Sequence, residues 1–319
     1  MKIQYTRSHF AKLLGFTDKQ LSAADKLPEL KALGGGPDSY QLPHLSAYRR
    51  VLDLRPRREP PRRQLFLNFK GGTGKTSLSV AYAFRLAEMG HRVLLIDLDS
   101  QAHATQHLGG ENLERTVFDT LVKGVPIEDV IVRTPLVEFD VLPANLRMTT
   151  IDISLMPMAG REYKLRRALA PVSDRYEFIV MDAPPSFGLL NLNALMASDD
   201  LLVPVLPDFL SFHGLKLLFE TLTQIEDDLN HRLQRIRIVV NQYNPTTRIA
   251  REAKGALESH YREFLSDTIV RQCTDFARAS SDGLPINAYA PSSKGARDID
   301  ALITEMISAR FERAMERTA

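Results

Sequence analysis

The stretch that decides the fold is "LFLNFKGGTGKTSLSV", residues 65–80. A short apolar run leads straight into a glycine-rich turn, and a helical pattern follows without a gap. The usual phosphate loop, G-x-x-x-x-G-K-[ST], requires glycine at position 69, where this chain has Phe69. Lys70 stands where that pattern asks for nothing in particular. Gly71, Gly72 and Gly74 still let the backbone around Thr73 curl with its N–H groups toward phosphate oxygens, and the helix N-terminus adds a favourable partial charge. Lys75 is then placed to reach the β- and γ-phosphates and the Thr76 hydroxyl to bind Mg²⁺, with Ser77 next in the nucleotide-binding turn. Strand, loop and helix in this order separate a nucleotide site from a purely structural glycine turn.

Further along, "RVLLIDLD", "FDVLPA", "FIVMDAP", "DLLVPVLP" and "RIRIVVNQY" read as buried strands, with helical segments such as 77–89 and 212–228 intervening. Near-continuous apolar strands with helical crossovers specify a mostly parallel sheet covered on both faces, and ligands bind outside its carboxyl ends. "VLLIDLDSQ" ends in Asp97 and Asp99, which leave the strand on the same face. "FIVMDAPPS" ends in Asp182, and an acid closing an apolar strand is how a carboxylate reaches a Mg²⁺ shell. Three acids and a lysine loop on one edge describe a Mg-nucleotide site. The expected fold class is α/β: a mostly parallel P-loop NTPase sheet flanked by helices, with a small N-terminal all-α helix-turn-helix domain.

The chain has 319 residues, 44% of them hydrophobic, enough for one large domain and something small beside it. Its one cysteine, Cys273, leaves neither a disulfide framework nor a cysteine-ligated cluster within one chain. No apolar run approaches the ~20 residues needed to span a membrane, and "MKIQYTRSHF" lacks a signal-peptide core. A cytoplasmic protein is expected. The net charge of +2 hides an asymmetry: residues 1–63 hold 13 Lys+Arg against 6 Asp+Glu, whereas positions 64–319 hold 28 against 33. A basic N-terminal module on a mildly acidic body suggests a polyanion partner for the module.

"YTRSHFAKLLGFTDKQLSAADKLPEL" reads as two short helices across a tight turn. Thr6 caps the first, Gly15 ends it, and Thr17 with Gln20 forms a capping box for the second. Leu21 points inward, leaving Lys19, Gln20, Ser22 and Lys26 outward, the arrangement of a helix-turn-helix whose second helix enters the major groove. A third helix is expected from about Pro43. "RRVLDLRPRREPPRRQ", residues 49–64, has seven arginines and three prolines and reads as a solvated spacer, or one that also touches DNA phosphates. The expected division is 1–54 helix-turn-helix, 55–63 linker and 64–319 P-loop nucleotide-binding domain. The first of these resembles the helix-turn-helix of MerR-type regulators.

"FKGGTGKTS", "VLLIDLDSQ", "VLPANLRM", "REYKLRRAL", "YEFIVMDAPPSFGLLNLNAL", "DDLLVPVLPDFLSFHGLKLL" and "SSKGARDIDALITE" resemble successive blocks of the ParA branch of the ParA/MinD ATPases. The resemblance implies ATP and Mg²⁺ as ligands and Lys70 as a signature lysine that crosses to the partner's phosphates in an ATP-dependent homodimer. It implies that Lys75 is the ordinary loop lysine, that Thr76 and Asp182 serve the metal with Asp97 near its shell, and that Asp99 positions the attacking water. Asn241 would contact adenine. Non-specific DNA binding, a ParB-like activator and a nucleoid-associated location follow from the same resemblance. Here Ser100 follows Asp99 where the family usually has proline, and Ser77 replaces a common second threonine; neither change removes a charge. Arg271, Arg278 and Lys294 are the candidate DNA-contacting residues of the body.

His103 and His107 have a metal-ligand spacing but no evident third ligand. The last helix carries Ile299, Leu302, Ile303, Met306, Ile307 and Phe311 on one stripe with balanced charges beside it, which suits core packing better than membrane docking. A cluster-bearing reductase that shares the loop lacks its cysteines here. A nucleotide-switched transcriptional regulator acting through the N-terminal module remains the alternative.

Overall fold

The N-terminal module is wound around three aromatic rings. Phe10 stacks on Tyr40 at 4.1 Å between centroids and meets Tyr48 edge-on at 5.1 Å. The computed structural model describes residues 3–33, 40–56, 58–106 and 113–308. Strand β1 (Gln4–Tyr5) precedes helices α1 (Arg7–Leu13), α2 (Asp18–Ala24) and α3 (Pro28–Lys31). Strand β2 (Tyr40–Gln41) then pairs antiparallel with β1 before helix α4 (Leu42–Val51). The caps form as the residues dictate: Thr6 accepts from the His9 N–H, and Thr17 and Gln20 make a reciprocal box. The module is therefore not all-α as expected. Its two-residue strands are too short to show an alternating pattern.

The module is docked rather than tethered. The Tyr5 hydroxyl donates to Glu88 Oε1 at 2.7 Å, and buried Arg49 donates to the carbonyls of Ala87 and Glu88. Those carbonyls end helix α5 (Lys75–Glu88), so Arg49 satisfies acceptors that a helix end leaves open. Its rings join one continuous core with Phe84, Ile299 and Leu302. The arginine-rich stretch runs along the body: the Glu59 N–H donates to Glu177, and a Cβ added to Gly90 (φ +100°) would lie 2.8 Å from Pro56 Cδ. Strand β3 (Arg62–Phe66) starts inside that stretch.

The remaining strands are β4 (Val93–Asp97), β5 (Val132–Arg133), β6 (Phe139–Leu142), β7 (Phe178–Asp182), β8 (Asp200–Val205) and β9 (Arg235–Val240). They form one seven-stranded sheet in the order β5-β6-β4-β7-β3-β8-β9, parallel except for β5 against β6. Alternation sorts each strand between two cores. Val93 and Leu95 face α5, the N-terminal module and the helix Lys294–Ser308, whereas Leu94 and Ile96 face the helices Leu189–Ala197 and Leu210–Leu229. Both faces are dry, which is why these strands read as unbroken apolar runs. Ile299, Leu302, Ile303 and Met306 are buried as the stripe required, while Phe311, like His107, lies outside the described residues. No helix of the described residues is long and apolar enough to cross a membrane.

Candidate functional site

The loop after β3 is anchored to the next strand before it curls. Asn68 donates to the Pro204 carbonyl at 2.7 Å, and its Oδ1 accepts from the Lys70 N–H at 2.9 Å. Phe69, the residue in place of glycine, packs perpendicular to Phe187 at 5.2 Å, joining this loop to the one after β7. Gly74 caps α5 at φ +88°, and a Cβ there would sit 2.2 Å from Asn241 Nδ2. Glycine is thus required both by conformation and by space.

Asn241 donates to the Thr73 carbonyl at 2.7 Å and lines a cleft of about 320 Å³ with Gly74, Ser77, Cys273 and Phe276. The cleft opens beside the phosphate loop, where a base linked to bound phosphates would lie. Gly71 and Gly72 form the loop's outer turn, both exposed, and Thr76 is half-buried in the first turn of α5.

Lys75 is buried, with Nζ donating to the Lys70 carbonyl at 3.1 Å. Burial lowers its pKa, and Asp182 and Asp99 oppose that shift. The register pairs Asp97 of β4 with Asp182 of β7 at the carboxyl edge. Both are fully buried but differently employed. Asp97 Oδ1 accepts from the Asp99 N–H at 3.0 Å, and Oδ2 accepts from the Thr105 N–H and hydroxyl at 2.8 and 2.7 Å. Burial pushes the Asp97 carboxyl up to about 6. Neither oxygen of Asp182 has a hydrogen-bond partner among the described residues, and burial, then Asp97, pushes its carboxyl up to about 8.

Asp97 therefore secures the loop to Thr105 rather than standing open to a metal. Asp182 is the less occupied of the two: Thr76, Ser79 and Lys75 draw its carboxyl down only in part against burial and Asp97, which fits a Mg²⁺ ion and its waters. Among the described residues no group of three His, Cys, Asp or Glu side chains forms a metal cage. Mg²⁺ needs none where one or two carboxylates and substrate phosphates suffice. Asp99 is half-exposed, with Oδ1 accepting from the Gln101 N–H at 2.9 Å.

Lys70 turns away from its own loop: Nζ lies 2.7 Å from Asp208 Oδ2, just beyond β8. Burial opposes ionisation of Asp208, but Lys70 and Ser211 hold its carboxyl below the usual range. Asp208, Asn68 and Thr105 were not singled out in the sequence. Asp208 carries a weaker form of the signal of Asp97 and Asp182: it follows an apolar strand that ends at Val205 and does not close it.

The remaining candidates are dispersed. Lys19, Gln20 and Ser22 are exposed on α2 and Lys26 is exposed just beyond its end, with Gln20 held in the capping box and Ser22 bonded to Arg7 at 2.8 Å. Arg271 grips Asp298 through Nε and Nη2, the latter at 2.6 Å, and its Nη2 reaches the Lys294 carbonyl at 3.4 Å. Arg278 lies 3.5 Å from Asp275, and Lys294 is exposed.

Fold and site together define a nucleotide-binding α/β protein with a phosphate loop, and the AAA domain family AAA_31 matches residues 64–235. The cell division protein PomZ of Myxococcus xanthus (strain DK1622) is 55% identical over 305 residues, 95% of this chain and 92% of that one. The sporulation initiation inhibitor protein Soj of Bacillus subtilis (strain 168) is 36% identical, covering 72% and 91% of the two chains. Cobyrinic acid a,c-diamide synthase from Mycobacterium smegmatis, solved with bound ATP analog and magnesium, superposes with a TM-score of 0.67 at 29% identity, covering 78% and 97%. The chain belongs to the ParA-type partition ATPase family.

Proposed function

We propose that the chain is a Mg²⁺-dependent ATPase that positions a cargo in the cytoplasm, on the nucleoid. ATP joins two copies, the dimer holds DNA with little sequence preference, and a ParB-like partner stimulates hydrolysis and releases it. The observation that carries this reading is the orientation of the two loop lysines. Lys75 is folded into its own loop, while Lys70 reaches outward to the rim, 2.7 Å from Asp208. A lysine so placed can reach a second subunit's phosphates once it leaves Asp208. The rim is also apolar: Phe187, Phe209, Leu210 and Met156 are all exposed around Phe69 and Asp208, a surface suited to burial in a dimer.

In this reading the loop N–H groups and Lys75 hold the β- and γ-phosphates, and Asn241 takes the adenine. Thr76 and Asp182, with Asp97 bracing the loop behind them, would hold Mg²⁺, whose charge offsets that of the phosphate oxygens. Asp99 orients the attacking water. Positioning and charge neutralisation are sufficient for phosphoryl transfer. Arg271, Arg278 and Lys294 contact DNA phosphates from the body. Retention of the chain on DNA-coated beads, with and without Mg-ATP, tests this: wild type should be retained only with ATP, and retention that ignores nucleotide would refute it.

The exposed face of α2 supports a second reading, a regulator acting through the N-terminal helices. Nuclease footprinting with the full chain separates the two. A protected operator whose occupancy changes with nucleotide in wild type but not in Lys75→Ala supports a nucleotide-switched regulator, and protection without sequence preference counts against it.

A further inference from the structure

A cavity of about 610 Å³ lies on the side of the sheet opposite the phosphate loop, between α4 and the amino ends of β4, β6 and β7. Its size is that of a small-ligand site. Arg50, Arg55, Arg58 and Arg92 line it. Among the described residues none of the four is within salt-bridge distance of a carboxylate; Arg58 donates only to the Asp174 carbonyl, at 2.6 Å.

Two acids share the wall, and both are otherwise engaged. Glu177 Oε1 accepts from the Glu59 N–H at 3.0 Å and faces His91 Nδ1 at 3.2 Å, while Oε2 accepts from the Arg92 N–H at 3.0 Å. Glu138 accepts from the Ser46 hydroxyl. The nearby C-terminal end of α5 would ordinarily repel an anion, but buried Arg49 already occupies its last carbonyls. What remains lining the space is a set of guanidinium groups without a carboxylate partner, of which, among the described residues, only Arg58 has a hydrogen bond, to the Asp174 carbonyl.

We propose that this cavity binds a small ligand carrying two or more phosphate groups, at the seam between the N-terminal module and the body. Planar guanidinium groups bind phosphate through paired N–H donors, and several of them around one concavity suit clustered anionic charge better than a single one. A convex duplex does not enter such a space, so the free ligand is favoured over a DNA backbone. The site is independent of the ATP site, and its Gly90 wall directly follows the end of α5, whose other end begins at the phosphate loop.

The test uses the full chain carrying Lys75→Ala, which disables the phosphate loop, titrated calorimetrically with inorganic tripolyphosphate. One binding site is expected, weakened about tenfold or more when Arg50→Ala and Arg55→Ala are added, and restored only in part by lysine at both positions, which returns the charge without the fork. Both arginines are exposed, so folding should survive, and an unchanged thermal midpoint checks this. Tripolyphosphate that fails to bind, or binds equally well without the two arginines, overturns the proposal. So does a 20-base-pair duplex that depends on the two arginines while tripolyphosphate does not bind.

Discussion

Lys70 Nζ and Asp208 Oδ2 lie 2.7 Å apart, and both side chains are about 30% exposed, at 28% and 32%. The lysine that family resemblance assigns to a partner's phosphates is thus held within its own subunit by a carboxylate on the neighbouring strand's loop. To serve another subunit it must first leave Asp208. A solvent-accessible, part-buried pair of this kind is worth roughly 0.2–1 kcal/mol, so the restraint is weak and reversible. Asp208→Asn should lower the ATP concentration needed for dimerisation by about 1.4- to 5-fold, read by sedimentation velocity across an ATP titration. A higher requirement would mean that Asp208 serves the dimer instead of restraining the monomer.

Gly74→Ala meets two obstacles, a left-handed φ of +88° and a Cβ 2.2 Å from Asn241 Nδ2. ATP affinity should fall by at least about tenfold. In a double-mutant cycle with Asn241→Ala the two losses should not add, because removing the amide removes the clash. Fluorescent-nucleotide binding reads all four proteins, and full additivity would contradict the contact.

How the N-terminal module sits on the body is open to a simpler challenge. Tyr5→Phe leaves Glu88, which is completely buried, without its phenol donor. The expected cost is about 1–2 kcal/mol, a drop of a few degrees in the thermal midpoint. An unchanged midpoint would show that the seam does not rely on this bond.

Glu177 gives a pH signature. Burial disfavours its charge, yet His91 and the main-chain N–H groups of Arg92 and Glu59 outweigh that and hold the carboxyl down at about 2. The unfolded value is near ~4.3, so the folded state binds the proton less tightly. Its stabilisation is present above the unfolded value and is lost as pH falls through about 2. Glu177→Gln should therefore destabilise by roughly 1–3 kcal/mol at neutral pH, with the gap from wild type closing in acid. Urea midpoints from pH 7 to pH 3 measure this, and a gap that widens in acid would reverse the assignment.

The sheet was legible because its strands are buried on both faces, so their apolar runs stand out without knowledge of partners. The phosphate loop was legible because Gly74, Lys75 and Thr76 are local in sequence. The different roles of Asp97 and Asp182 were not: both end apolar strands, and only the folded contact with Thr105 shows which carboxylate is occupied. Arg49 illustrates the same limit. It sits among seven arginines that look solvated, yet it is 2% exposed because the end of α5, nearly forty residues later, supplies its acceptors. Contacts as long-range as Tyr5 with Glu88 leave no periodicity to read.

The central claim is an ATP site built from two subunits, and sedimentation velocity of three proteins in saturating Mg-ATP tests it most directly. Asp99→Ala should sediment as a dimer, since without the carboxylate proposed to orient the water bound ATP should persist. Asp99→Ala with Lys70→Ala should sediment as a monomer while still binding nucleotide, and wild type should fall between them. A dimer that persists without Lys70 would contradict the account.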